Sequence, residues 1–147
     1  MVQSERRIIS WQEYDVLLRH IEACVGQKEP DCIVGLTRGG LVPAVQLSHV
    51  YNAPLFTLNV SLRDGKVSKS KFDWKHLKGF SDILIVDDIN DSGDTLNYVM
   101  EMFHANKIFC PRTAVLLSKE TSSFQTTFAG EVINKHRKDE WIVFPWE

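Results

Sequence analysis

The residues best equipped for chemistry lie in one stretch, Ile83 to Leu96, which reads ILIVDDINDSGDTL. Adjacent carboxylates, Asp87 and Asp88, are followed by Asp91 and then by Ser92, Gly93, Asp94 and Thr95. The paired carboxylates repel phosphate and suit sugar hydroxyls or a hydrated Mg²⁺, which takes one or two carboxylates plus substrate oxygens. The small polar residues after them do the opposite. They stand where a helix begins, and the first N–H groups of a helix have no internal partner and attract anions. Gly93 lets the backbone come close to a phosphate, and the Ser92 and Thr95 hydroxyls add donors. Phosphate, diol and divalent metal on one short segment describe a phosphorylated sugar.

These groups need elements to hold them. Ile83 to Val86 is an apolar run without alternation, the pattern of a strand buried on both faces. Leu96, Val99, Met100 and Phe103 follow at helical spacing. The acids thus fall at a strand's carboxyl end, where ligands bind in open α/β sheets. A second such unit begins at Asp31 to Thr37, a predicted strand that runs into Arg38-Gly39-Gly40 and a helix with Pro43 in its first turn. Two glycines there free backbone amides, and an arginine can fork onto phosphate oxygens. Thr113 to Leu117 is a third buried strand, ending in Ser118-Lys119-Glu120, with Lys119 a candidate ligand group.

The remaining chain is read as follows. Ser10 to Glu13 forms a capping box, and Tyr14, Leu17, Leu18, Ile21 and Val25 trace a helix to about Gly26. Pro54 to Val60 is a strand. Ser61 to Lys75 is polar and lysine-rich, a long loop that is either a functional lid or a disordered insert. Arg63, Lys66, Lys69 and Lys71 are its candidate anion contacts, with no choice among them. Thr121 to Asp139 is expected to be irregular, with room for one short strand. Trp141, Phe144 and Trp146 either anchor the chain's end to the core or, for Trp141, stack on a purine face.

Composition bounds these readings. The chain has 147 residues with a formal charge of −2, which suits one domain and argues against a nucleic-acid or membrane surface as partner. No apolar run is long enough to span a bilayer, and the N-terminus lacks a signal peptide's apolar core. Cys24, Cys32 and Cys110 have no C-x-x-C spacing and lie among apolar residues, so buried free thiols and a reducing, cytoplasmic compartment are expected.

Taken together, the aliphatic run, the two acids and D-S-G-D-T resemble the phosphoribosyl-pyrophosphate (PRPP) signature of the type I phosphoribosyltransferases. TRGGLVPA resembles the pyrophosphate loop of the bacterial 6-oxopurine enzymes of that family. W-I-x-x-P-W followed by an acid resembles the base-binding hood of its xanthine-guanine members, with Glu147 where those have an aspartate. The resemblance implies an α/β fold, a mostly parallel core sheet flanked by helices, with a small hood from about residues 1–12 and 120–147 and a flexible loop at about 61–75. It implies Mg²⁺-dependent transfer of the 5-phosphoribosyl group from PRPP to N9 of xanthine, guanine or hypoxanthine. Asp87 and Asp88 would hold ribose hydroxyls and Mg²⁺, and Asp91 would face N7 of the base, as general acid or base or as an electrostatic partner. Asp91 to Thr95 would seat the 5-phosphate, and Thr37, Arg38, Gly39 and Gly40 the pyrophosphate. Lys119 would pair with O6, Trp141 would stack, and Ile142 would read the far edge of the base. A homodimer or homotetramer is implied as well. Two alternatives stay open: a PRPP-sensing regulator on the same fold, and a phosphoribosyltransferase for another base.

Overall fold

In a computed structural model that describes residues 5–63, 66–69 and 71–147, the core is a six-stranded sheet. Its strands are β2 (Cys32–Thr37), β3 (Leu55–Arg63), β4 (Lys66–Lys69), β5 (Ile83–Asn90), β6 (Arg112–Lys119) and β7 (Phe128–Ile133). They lie in the order β4-β3-β2-β5-β6-β7, and all pairs are parallel except β3–β4. Chain direction along the sheet reverses between β2 and β5, so the carboxyl ends of these two neighbours border one crevice, the place where such sheets bind ligands.

The sheet is covered on both faces, which explains its unbroken apolar strands. Alternate residues divide between two cores. Ile33, Leu84, Val86, Ala114 and Leu116 face helices α1 (Trp11–Val25) and α2 (Leu41–Tyr51). Val34, Leu36, Ile85 and Val115 face Leu96, Val99 and Phe103 of α3 (Asp94–Ala105). The predicted caps are in place: Ser10 Oγ accepts from Glu13 N at 3.0 Å, and α1 ends at Gly26 with φ 61°. A separate two-stranded parallel sheet joins β1 (Arg6–Ile8) to β8 (Trp141–Val143), near the two chain ends. The Arg7 guanidinium ties it to Glu131 of β7, with a second contact from Nη2 to Oε1 at 3.3 Å.

Several expectations need correction. β5 does not stop at Val86 but continues to Asn90, because Asp87, Ile89 and Asn90 stay paired with Val115, Leu117 and Ser118 of β6. Asp87 and Asp88 are therefore held by strand geometry rather than by a loop. Lys119 likewise closes β6 instead of following it. The long loop is partly a hairpin: β3 runs on to Arg63 and pairs with β4. Asp64, Gly65 and Ser70, and the side chains of Arg63, Lys66 and Lys69, lie outside the described residues; Lys71 is exposed. Cys32 is buried as expected, but Cys24 and Cys110 are exposed, one on the outer face of α1 and one in the turn before β6.

Candidate active site

The site begins with the carboxylates of β5. Asp88 N donates to Asp87 Oδ1 at 2.9 Å and Ile89 N to Asp88 Oδ1 at 2.7 Å. Facing them is the loop after β2, with Gly39 and Gly40 packed directly on this strand. A Cβ on Gly39 would run into the Asp88 carboxylate, and one on Gly40 would meet the Val86 carbonyl and stand 2.8 Å from Asp87 Cα. The glycine pair is thus a packing requirement of the crevice, and the expected pair of free amides is not found, since Gly40 N donates to Leu36 O at 2.8 Å. The Thr37–Arg38 peptide is cis.

Electrostatics point to a cation. Burial pushes the Asp87 carboxyl well above the ordinary range, and the neighbouring Asp88 charge adds to it. Asp88 is raised as well, mainly by burial, with Glu147 contributing. Two desolvated like charges side by side favour holding a proton or a cation. Among the described residues no group of three His, Cys, Asp or Glu side chains could hold a metal. The pair fits Mg²⁺ in the manner of substrate-completed sites, two carboxylates at hand and the remaining ligands from substrate and water.

Three cavities meet at Asp88. The largest, about 950 Å³, is lined by Thr37, Arg38, Gly39, Asn59, Asp87, Asp88, Trp146 and Glu147 among others. The second, about 210 Å³, is lined by Asp87, Asp88, Asp91, Ser92, Gly93 and Thr95. The third, also about 210 Å³, is lined by Asp88, Asp91, Lys119, Glu140, Trp141, Ile142 and Glu147. In this last cavity Lys119 Nζ lies 2.8 Å from Asp91 Oδ1, with the lysine 10% and the aspartate 66% exposed. Trp141 is 62% exposed, leaving its ring free at the cavity's rim. The tail's other aromatics serve as anchors: Phe144 is buried and stacks on Trp146 at 5.0 Å.

The sequence-predicted residues are largely brought together. Asp94 departs from the expected arrangement. Its carboxylate is exposed in the first turn of α3, where it favours the helix dipole, and its N–H is committed to Ser92 Oγ at 3.2 Å. Gly40 lies beneath the crevice rather than lining it. Sequence reasoning missed Asn59, the register partner of Thr37, whose signal was an amide late in a mostly apolar strand. It read Trp146 only as an anchor, though it also lines the largest of the three cavities, and it noted Glu147 only as a departure in type, though it borders two of them.

The phosphoribosyl transferase domain family matches residues 12–147. The chain is similar to the xanthine-guanine phosphoribosyltransferase of Desulfotalea psychrophila, 32% identical over 127 residues that cover 78% of this chain and 69% of that protein. It is also similar to the enzyme of that name from Cereibacter sphaeroides, 29% identical over 161 residues, covering 95% and 85%. Among solved structures, a purine phosphoribosyltransferase from Pyrococcus horikoshii superposes with a TM-score of 0.81 at 30% identity, over 97% of this chain and 94% of that one. A xanthine-guanine-hypoxanthine phosphoribosyltransferase from Helicobacter pylori shares the fold, with a TM-score of 0.77 at 19% identity over 97% and 94%.

Proposed function

We propose, from the premise that this chain belongs to the phosphoribosyl transferase domain family, that it moves the 5-phosphoribosyl group of PRPP onto N9 of a 6-oxopurine. The observation that carries this reading is the meeting of three cavities at one carboxylate, Asp88. PRPP and its acceptor have three limbs about one anomeric carbon: a 5-phosphate, a pyrophosphate and a base. The seat after β5, made by Ser92, Gly93 and Thr95, takes the 5-phosphate. The crevice at Thr37 to Gly40 takes the pyrophosphate. The cavity between Lys119 and Trp141 takes the base, with the β1–β8 sheet as its hood.

In this reaction the bond from the anomeric carbon to pyrophosphate breaks as the bond to N9 forms, through an oxocarbenium-like transition state. Asp87 and Asp88 hold the ribose hydroxyls and the Mg²⁺ ion, which when bound offsets charge on the departing pyrophosphate. Asp91 accepts the proton that the base gives up on the imidazole side. Lys119 donates to O6, Trp141 stacks on the ring, and the Ile142 backbone reads the far edge. Catalysis is then mainly placement and electrostatic stabilisation.

Initial rates with PRPP and Mg²⁺ test the proposal, with xanthine, guanine, hypoxanthine and adenine offered separately. Product is expected from oxopurines and not from adenine, because an ammonium offers no acceptor to a 6-amino group. Lys119→Ala should raise the KM for the oxopurine more than it lowers kcat. Turnover of adenine alone would overturn the base assignment, and PRPP binding without turnover of any base would turn the reading to a regulator.

A further inference from the structure

At the end of β5 the chain buries a side-chain amide. Asn90 is 1% exposed, and a buried amide is costly unless its bonds are filled. They are filled from the end of β6 and the loop after it. Asn90 Nδ2 donates to Ser118 Oγ at 3.1 Å and to Phe124 O at 2.7 Å, and its Oδ1 accepts from Ser122 Oγ at 2.8 Å. Ser122 N in turn donates to Lys119 O at 3.0 Å. One side chain thus fastens the turn Ser122–Phe124, about thirty residues along the chain, to the strand that carries Asp87 and Asp88.

The turn so held bears on the phosphate seat. Ser123 N and Ser123 Oγ both donate to Ser92 O, each at 2.9 Å, and Asn97 Nδ2 donates to Ser123 Oγ at 3.0 Å. In a trans peptide the C=O and the following N–H point opposite ways. Two bonds on the Ser92 carbonyl therefore aim the Gly93 N–H away from the turn, and Gly93 lines a cavity together with Ser92 and Thr95. Gly93 has φ 96°, and a Cβ there would stand 2.5 Å from Ser123 Oγ, so the turn and the seat are closely fitted.

We infer that the Ser122–Phe124 turn, pinned by Asn90, is a brace that pre-aims the Gly93 amide, with Ser123 the positioning residue for the phosphate limb. This rests on the reading of that seat as the 5-phosphate site. Ser123 is exposed, so truncating it leaves the fold intact while removing one of the two bonds that hold the Ser92 carbonyl, the backbone bond from Ser123 N remaining.

Ribose 5-phosphate, which carries only that limb, is the probe. Its binding to wild type, Ser123→Ala and Ser123→Thr would be measured by titration calorimetry, beside thermal unfolding and PRPP kinetics. Ser123→Ala should bind ribose 5-phosphate roughly five- to tenfold more weakly, the scale of one lost neutral hydrogen bond. The KM for PRPP should rise in step while kcat, the KM for the base and Tm hold, and Ser123→Thr, which keeps the hydroxyl, should restore binding. Wild-type affinity in Ser123→Ala, or no rescue by threonine, would overturn the brace. A wild-type protein that turns over PRPP yet does not bind ribose 5-phosphate would overturn the seat assignment and the brace with it. A wild type that does neither would overturn the proposed function.

Discussion

The phosphate side and the base side of this site are built differently. The phosphate loops leave the ends of β2 and β5, central strands whose residues Ile33, Val34, Leu84 and Ile85 are fully buried, and they fit against glycines with no room for a Cβ. The base cavity instead borrows from a two-stranded sheet of three residues per strand, docked through Arg7 on Glu131. Its stacking candidate, Trp141, is mostly exposed. Under the proposed function, phosphate recognition is therefore pre-organised in the sheet's core. Base recognition would then depend on the smaller β1–β8 element, so substitutions on the two sides should separate in their effects.

The largest effect is expected where the sides meet. Asp88→Asn should lower turnover by about 100-fold or more, as loss of a central electrostatic group does. Its effect on stability should have the opposite sign. Burial raises the Asp87 and Asp88 pKa values in the folded chain, whereas unfolded aspartate titrates near about 3.9. Between those values the folded state binds more protons, so the pair's contribution is full below the unfolded pKa and is lost as pH rises through the folded ones. Removing one charge relieves that loss at neutral pH. In metal-free protein the Tm of Asp88→Asn should exceed wild type by roughly a few degrees, measurable by calorimetry, and the gain should shrink as the pH is lowered. A lower Tm at pH 7 would show that the pair is not destabilising.

A smaller, one-sided effect is expected in the hood. Trp141→Ala should raise the KM for the base about tenfold, the scale of one lost stacking contact, with ribose 5-phosphate affinity unchanged. Equal losses on both ligands would erase the distinction between the two sides. Smaller again, Arg7→Met removes the contacts to Glu131 and Glu13. Both ion pairs are partly exposed, so the cost is about 1 kcal/mol or less, read as a shift in the denaturant midpoint. Its kinetic trace should be a rise of a few-fold in the KM for the base alone.

The two sides also differed in how far the sequence revealed them. The phosphate loops were legible because their logic is local: strand, small residues and helix follow one another within about a dozen positions, and the glycines announce themselves. Lys119 and Trp141 were candidates by position alone, at a strand's end and in an aromatic tail, and took specific roles only through resemblance, since a lone lysine or tryptophan carries little local signal. Asn90 was invisible as a buried brace, because an Asn beside Asp, Ser and Gly reads as a turn residue; its partners lie some thirty positions away. The β3–β4 hairpin was missed although Asp64-Gly65 is a strong two-residue turn signal, because the lysines around it lack alternation. Cys24 was expected to be buried from its apolar neighbours, yet it falls on the outer face of α1, where its Sγ lies 3.7 Å from His20 Nε2.

The central claim is that one carboxylate wall joins three limbs of a single transfer reaction, so the decisive measurement is stoichiometric. Pyrophosphate release and nucleotide formation would be followed together, with PRPP and Mg²⁺, in the presence and absence of guanine. The account predicts negligible pyrophosphate without the base and one pyrophosphate per nucleotide with it. Pyrophosphate release that ignores the base, or guanine binding with no release at all, would contradict it.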